Sequence, residues 1–166
     1  MTSSPGEPAI RAAGAGDWSE VVALIWTLNR HEHAISGDRR TDRAAAVRYL
    51  AGMRRRVRRT GGQVPPAGAP GEALGMIAWA EELDPVFVAP PLRRRAQVVD
   101  LVVAEAARRR GIGSALLRAV EAEAEARGLR RLAIGLLTGN DAAAAAYRRF
   151  GFRPYALELA KALNEG

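Results

Sequence analysis

Residues 97–103, Gln-Val-Val-Asp-Leu-Val-Val, are followed closely by Arg108-Arg109-Arg110-Gly111-Ile112-Gly113-Ser114 and then by an amphipathic run reaching residue 127. The first stretch is β-branched and almost wholly apolar, the pattern of a strand buried on both faces. The last has Leu116, Leu117, Val120 and Ala124 on one side and Glu121, Glu123 and Glu125 on the other, the 3.6-residue period of a helix. Between them, two glycines let the backbone bend sharply and converge several N–H groups. The helix adds its own unbonded N–H groups and the positive end of its dipole. The segment thus predicts a strand, an anion cradle the size of a pyrophosphate, and a helix. A plain turn with solvated arginines is the alternative at this point. A nucleotide-binding loop of the Gly-x-x-x-x-Gly-Lys type is excluded because the lysine is missing, and a dinucleotide fingerprint fails because Leu116 stands where glycine or alanine is needed.

Downstream, Gly128 is a helix stop, residues 129–137 read as a strand, and residues 140–149 as a helix ended by Gly151. Residues 152–163 read as a last strand and a short tail. Upstream, residues 10–12 suit a short strand. Asp17 with Glu20 resembles a capping box that opens a helix through Val21, Leu24, Ile25 and Leu28, ending around residues 29–33. Thr41 or Asp42 caps a second helix with Val47, Leu50 and Met53 on its buried side, running into the basic stretch 54–59 and stopping at Gly61-Gly62. Pro65 and Pro66 allow only a damaged or shortened strand, while residues 73–80 form a better one and residues 84–95 a loop. This order predicts an α/β (α+β) fold: a mixed, mainly antiparallel sheet of six to seven strands with about four helices on its faces.

The chain has 166 residues, 48% of them hydrophobic, which suits one domain over residues 10–166 with residues 1–9 as a flexible tail. No stretch of about 18 apolar residues implies a membrane span, and the opening residues lack a secretory pattern, so the cytoplasm is the expected location. Without cysteine, disulfides and thiolate chemistry are excluded. The formal charge is +7, and only Lys161 among the 25 basic residues is not arginine. Arginine favours phosphate and carboxylate partners, although a GC-rich coding bias would give the same composition.

A second motif follows the diglycine turn: Asn140-x-x-Ala143-x-x-x-Tyr147-x-x-x-Gly151-Phe152. Arg108-x-x-Gly111-x-Gly113 and this motif, in order and with a helix and strand between them, resemble the GNAT superfamily of N-acetyltransferases. The resemblance extends in element order from residue 10 to 163, with its specific part from residue 97 onward. It implies acetyl-coenzyme A as cosubstrate and no metal. Backbone groups of Leu101, Val102 and Val103 would pair with the pantetheine arm. Arg108, Arg109, Arg110, Gly111, Ile112, Gly113 and Ser114 would hold the pyrophosphate, with Asn140 and Ala143 near the pantetheine end. Tyr147 would stand by the coenzyme A sulfur as general acid. Taken singly, Asn140 is also an ideal N-cap, and Tyr147 an ordinary half-buried aromatic. Glu105 departs from the family, many members having proline there.

An amine acceptor must lose a proton. Asp100, in the middle of an apolar strand, would have its pKa raised by burial and so be a base or an ammonium ligand. A carboxylate paired with an arginine among 93–95 is the alternative. Gln97, near the position where some family members carry a glutamate base, cannot titrate. From the segment 29–33, Glu32 and His31 are the candidate substrate-binding residues. His31 and His33 do not share a helix face, which argues against a metal. The expected partner is a small-molecule or peptide amine, with no membrane, and a homodimer through an exposed sheet edge is compatible with the reading. Two other functions stay open: a basic nucleic-acid-associated module, disfavoured by the 5% aromatic content, and a coenzyme A-binding fold without catalysis.

Overall fold

The computed structural model describes residues 8–163. Most of the expected flexible tail, residues 1–7, lies outside the described residues. The sheet is built around β3 (Arg94–Val103), which pairs antiparallel with β2 (Gly75–Leu83) from Gly75↔Val103 to Leu83↔Arg94. Beyond β2 lies β1 (Pro66–Ala67), also antiparallel, and on the other side of β3 lies the parallel strand β4 (Leu132–Ile134). The order β1-β2-β3-β4 makes a mixed sheet of four strands rather than six or seven.

The missing strands have local causes. Ile10 makes a single antiparallel bridge to Ala67 and goes no further, and Pro65 and Pro66 confine β1 to two residues. The expected strand over 129–137 pairs only at its centre, because β4 leaves β3 after Ile134. Residues 152–163 form no strand. Tyr155, Leu157 and Leu159 alternate as a strand would, but no ladder partner meets them among the described residues, and they stand 79%, 74% and 84% exposed. A strand pattern without a partner edge has nothing to offset its ordering entropy.

Helix α1 (Trp18–Ser36) outlasts the expected end by three residues and stops where Gly37 takes φ 74°. Asp17 does not cap it. Its carboxylate receives both terminal nitrogens of Arg11, at 2.7 and 2.6 Å, and the N–H groups of Gly14 and Gly71 at 2.7 and 3.0 Å. A guanidinium outcompetes a cap, since charge-assisted bonds are about twice as strong as neutral ones. Helix α2 (Arg43–Thr60) is capped by Asp42, which accepts from the Ala45 N–H at 2.8 Å. Its buried positions are Ala46, Leu50, Met53 and Val57; Val47, expected among them, lies off this i, i+4, i+7, i+11 stripe and is exposed. A single turn, α3 (Pro90–Arg93), interrupts the loop before β3. Helices α4 (Ile112–Ala126) and α5 (Asp141–Phe150) end at Gly128 and Gly151, both with positive φ.

The helices pack two apolar layers onto the sheet. On one face Val21, Ile25, Leu50 and Met53 of α1 and α2 meet Met76, Ala78 and Val102; on the other Ile112, Leu116 and Val120 of α4 meet Ile77, Trp79 and Val98. Truncating a fully buried leucine such as Leu116 to alanine would cost about 2–5 kcal/mol. One irregularity decides which groups face which layer. Val98 pairs with Trp79 and Asp100 with Ala78, so Val99 is a surplus residue, a β-bulge in β3. Before it, Val98 packs toward α4; after it, Val99 and Val102 pack toward α1 and α2, and Leu101 and Val103 toward α4. The alternation has slipped by one, which puts Asp100 on the α2 side.

Candidate active site

Pairing between β3 and β4 ends at Val98↔Ile134. From Val99 to Val103 the β4-side edge of β3 therefore has no ladder partner among the described residues, and a gap opens between the two strands. Leu101 and Val103 turn their backbone groups to that edge, while Val102, opposite Met76, turns its own to β2. The diglycine turn lies beyond the far end of the edge. Gly111 has φ 78° and Arg109 φ 58°, consecutive signs of a chain turned tightly on itself. No side chain caps α4, so its first N–H groups are free to meet an anion. Ile112 is buried in the core on the α4 side. Arg108, Arg109, Arg110 and Ser114 are exposed, with Arg108 Nε reaching the Val103 carbonyl at 3.3 Å.

On the α2 side of β3, the Tyr49 hydroxyl donates to Asp100 Oδ2 at 2.7 Å. The arginines considered as partners for Asp100 are engaged elsewhere: Arg94 with Glu81, Arg95 with Glu82 and Asp84, and Arg93 with the Asp84 carbonyl. With no cation in contact, burial pushes the Asp100 carboxyl up to about 7; the Tyr49 bond opposes this and the Glu32 charge adds to it. The phenol of Tyr49 is itself raised, by burial and by the Asp100 charge. Both groups line a cleft of about 780 Å³ together with Glu32, Arg39, Arg48, Arg56, Glu82 and Gly135. Glu32 is held by Arg39 Nε at 2.8 Å. His31, expected beside Glu32 as a substrate-binding residue, is exposed and does not line this cleft: one position from Glu32 on α1, it points to a different azimuth. His33 bonds the Arg39 carbonyl through Nδ1 at 2.7 Å, and no cluster of metal-ligating residues occurs among the described residues.

Tyr147 packs with the α4 layer, edge-on to Phe152 at 5.9 Å, so its ring is on the same side of the sheet as the diglycine turn. Burial, with the charges of Glu32 and Asp100, pushes its phenol up to about 12. Its hydroxyl bonds no group among the described residues. Asn140 caps α5, its Oδ1 accepting from the Ala143 N–H at 3.2 Å, which leaves the carboxamide N–H groups unused. Tyr49 was not visible as a site residue in the sequence. It lies beside Leu50 on α2, and only the bulge at Val99 brings Asp100 round to it.

Residues 21–152 match the Acetyltransferase (GNAT) family, and the chain belongs to it. No curated protein matches by sequence. Among solved structures, a transcriptional regulator from Bacillus halodurans C-125 is 20% identical, with 94% of this chain and 99% of that one covered and a TM-score of 0.72. A putative acetyltransferase from Agrobacterium tumefaciens is 21% identical over 93% and 99%, TM-score 0.69. An aminoglycoside 6′-N-acetyltransferase from Acinetobacter haemolyticus is 16% identical over 94% and 99%, TM-score 0.68. These likenesses are of fold. No helix among the described residues is long and apolar enough to cross a membrane.

Proposed function

We propose that this acetyltransferase moves an acetyl group from acetyl-coenzyme A to a primary amine by direct transfer in a ternary complex. The observation that carries the reading is the bare edge of β3 from Val99 to Val103, which joins the uncapped diglycine turn to the Asp100 cleft. Bound there, the cosubstrate supplies an activated thioester carbon. The edge-facing backbone groups of Leu101 and Val103, on either side of Val102, hold the pantetheine arm, and the free N–H groups from Gly111 to Ser114, with Arg108 to Arg110, hold the pyrophosphate. Asn140, through its unused N–H groups, and Ala143 lie near the pantetheine end. Asp100, ionising near pH 7, takes a proton from the acceptor's ammonium, and the free amine so formed attacks the acyl carbon. A backbone N–H near Val102 or Val103 stabilises the oxyanion. Tyr147 remains a phenol at neutral pH and protonates the departing thiolate.

Isothermal titration with acetyl-coenzyme A tests the donor half of this reading. A saturable heat is expected, and none at high micromolar concentration overturns it. Thiol release in the presence of amines separates an active enzyme from a fold that only binds coenzyme A. The basic run 54–59 supports nucleic-acid binding poorly, because Arg54 lies over the Trp18 ring at 3.9 Å and Arg56 pairs with Glu82.

A further inference from the structure

The acceptor cleft has five carboxylates, Glu32, Asp38, Glu82, Asp100 and Glu158, facing four arginines, Arg39, Arg40, Arg48 and Arg56. Most of this charge is already spent within the protein. Arg39 holds both Glu32 and Asp38 at 2.8 Å, and Arg56 pairs with Glu82. Arg40 Nε holds Asp42 Oδ2 at 3.0 Å, while Asp42 Oδ1 accepts the Ala45 N–H. Arg48 is left at 3.9 Å from Asp42, too long for a hydrogen bond, and its side chain is 60% exposed. Asp100 and Glu158 are the cleft carboxylates with no ion pair among the described residues. Arg48, Tyr49 and Asp100 all line the cleft, so a loosely held guanidinium shares its wall with the tyrosine that bonds Asp100.

Resting on the acetyl-transfer reading above, we propose that the acceptor is a small zwitterion. Its amine goes to Asp100 and its own anionic group, a carboxylate or a phosphate, goes to Arg48. A guanidinium with unused N–H groups matches either anion in a bidentate fork. A substrate of zero net charge also suits a cleft whose fixed charges nearly cancel. A polycation such as a polyamine or an aminoglycoside would find one unpaired carboxylate on β3 and another on the 152–163 segment, with Arg40, Arg48 and Arg56 around them. Its further ammonium groups would be opposed by like charge.

The test compares thiol release from acetyl-coenzyme A with matched acceptors. These are free α-amino acids against their amides, O-phosphoethanolamine against ethanolamine, and spermidine and kanamycin as polycations. The expected result is a kcat/KM about tenfold or more higher for an anion-bearing amine than for its uncharged counterpart. That ratio should fall about tenfold in Arg48→Gln, and Arg48→Glu should shift preference toward spermidine. A merely structural arginine would change all acceptors alike. Preference among the amino acids or for O-phosphoethanolamine tells carboxylate from phosphate. Equal or better use of the amides, ethanolamine or polycations overturns the proposal, as does a ratio untouched by Arg48→Gln. No turnover of any acceptor, with acetyl-coenzyme A still binding, overturns it and leaves the donor site standing. Loss of acetyl-coenzyme A binding in the unaltered protein removes both.

Discussion

The proposal that Asp100 is the base stands on its contact with Tyr49 in the cleft and on burial, which holds its proton to a pH where ordinary carboxylates have long lost theirs. If it is the base, kcat/KM should rise with pH through about 7, and Asp100→Asn should flatten that limb while lowering the rate about 10²–10⁴-fold. A pH–rate profile of both proteins checks this. Stability moves the opposite way. The folded state keeps the proton up to about 7 and the unfolded state releases it near 3.8, so stability declines as pH rises between those values. Asp100→Asn is therefore expected to raise the melting temperature more at pH 8 than at pH 4. Asp17 behaves inversely: Arg11 and two backbone N–H groups hold its carboxyl well below the usual range, so its contribution is present above about pH 4 and lost on acidification. Replacing Tyr147 by phenylalanine should reduce turnover while leaving the dissociation constant for acetyl-coenzyme A within about twofold, measured by titration. An unchanged turnover would remove the general-acid role. Asp100 and Tyr147 stand out as candidates in the sequence because each has an unusual neighbourhood there, a charge in an apolar run and a phenol in an alanine helix. Tyr49 does not, since its importance comes from a contact across 51 positions of chain.

Helix boundaries followed the sequence closely, because a cap and a glycine act within one turn. Asp42, Asn140, Gly61, Gly128 and Gly151 all lie where local chemistry puts them. Asp17 is the exception, drawn from capping by an arginine six residues away. Strands were legible only where they are buried on both faces; β1, β4 and the segment 152–163 depend on neighbours that local pattern does not specify. Glycine positions give this level its tests. A Cβ at Gly62 would come within 1.9 Å of the Trp79 carbonyl oxygen, where residue 63 bridges to β2. Gly62→Ala should cost about 1–3 kcal/mol by overpacking, a loss of roughly 2–4 °C in melting temperature per kcal/mol. Gly111→Ala meets open space but a forbidding φ of 78°, so about 1 kcal/mol of strain is expected together with weaker acetyl-coenzyme A binding. If the glycine turn holds no pyrophosphate, calorimetry will show the first effect without the second.

For the molecule as a whole, the open side of β4 and the uncovered row Tyr155, Leu157 and Leu159 are a self-complementary pair, since any second copy offers both. We propose that a homodimer would form through this pair, in which case Leu157→Lys with Leu159→Lys should shift it toward monomer in sedimentation velocity at tens of micromolar. A single monomeric species before substitution would count against it. The split of labour between the two sheet faces has its origin in Val99. That one additional peptide unit acts as a phase shifter between the α4 face, where Tyr147 packs, and the α2 face, which carries Asp100. Drawing Val99 into the ladder opposite Ala78 would keep every charged group of the chain, yet regular alternation would then turn Asp100 to the α4 face with Val98. A carboxylate would then enter the apolar layer under α4 and part from Tyr49 and the cleft, so the proposed acceptor site would be lost without losing any reactive group.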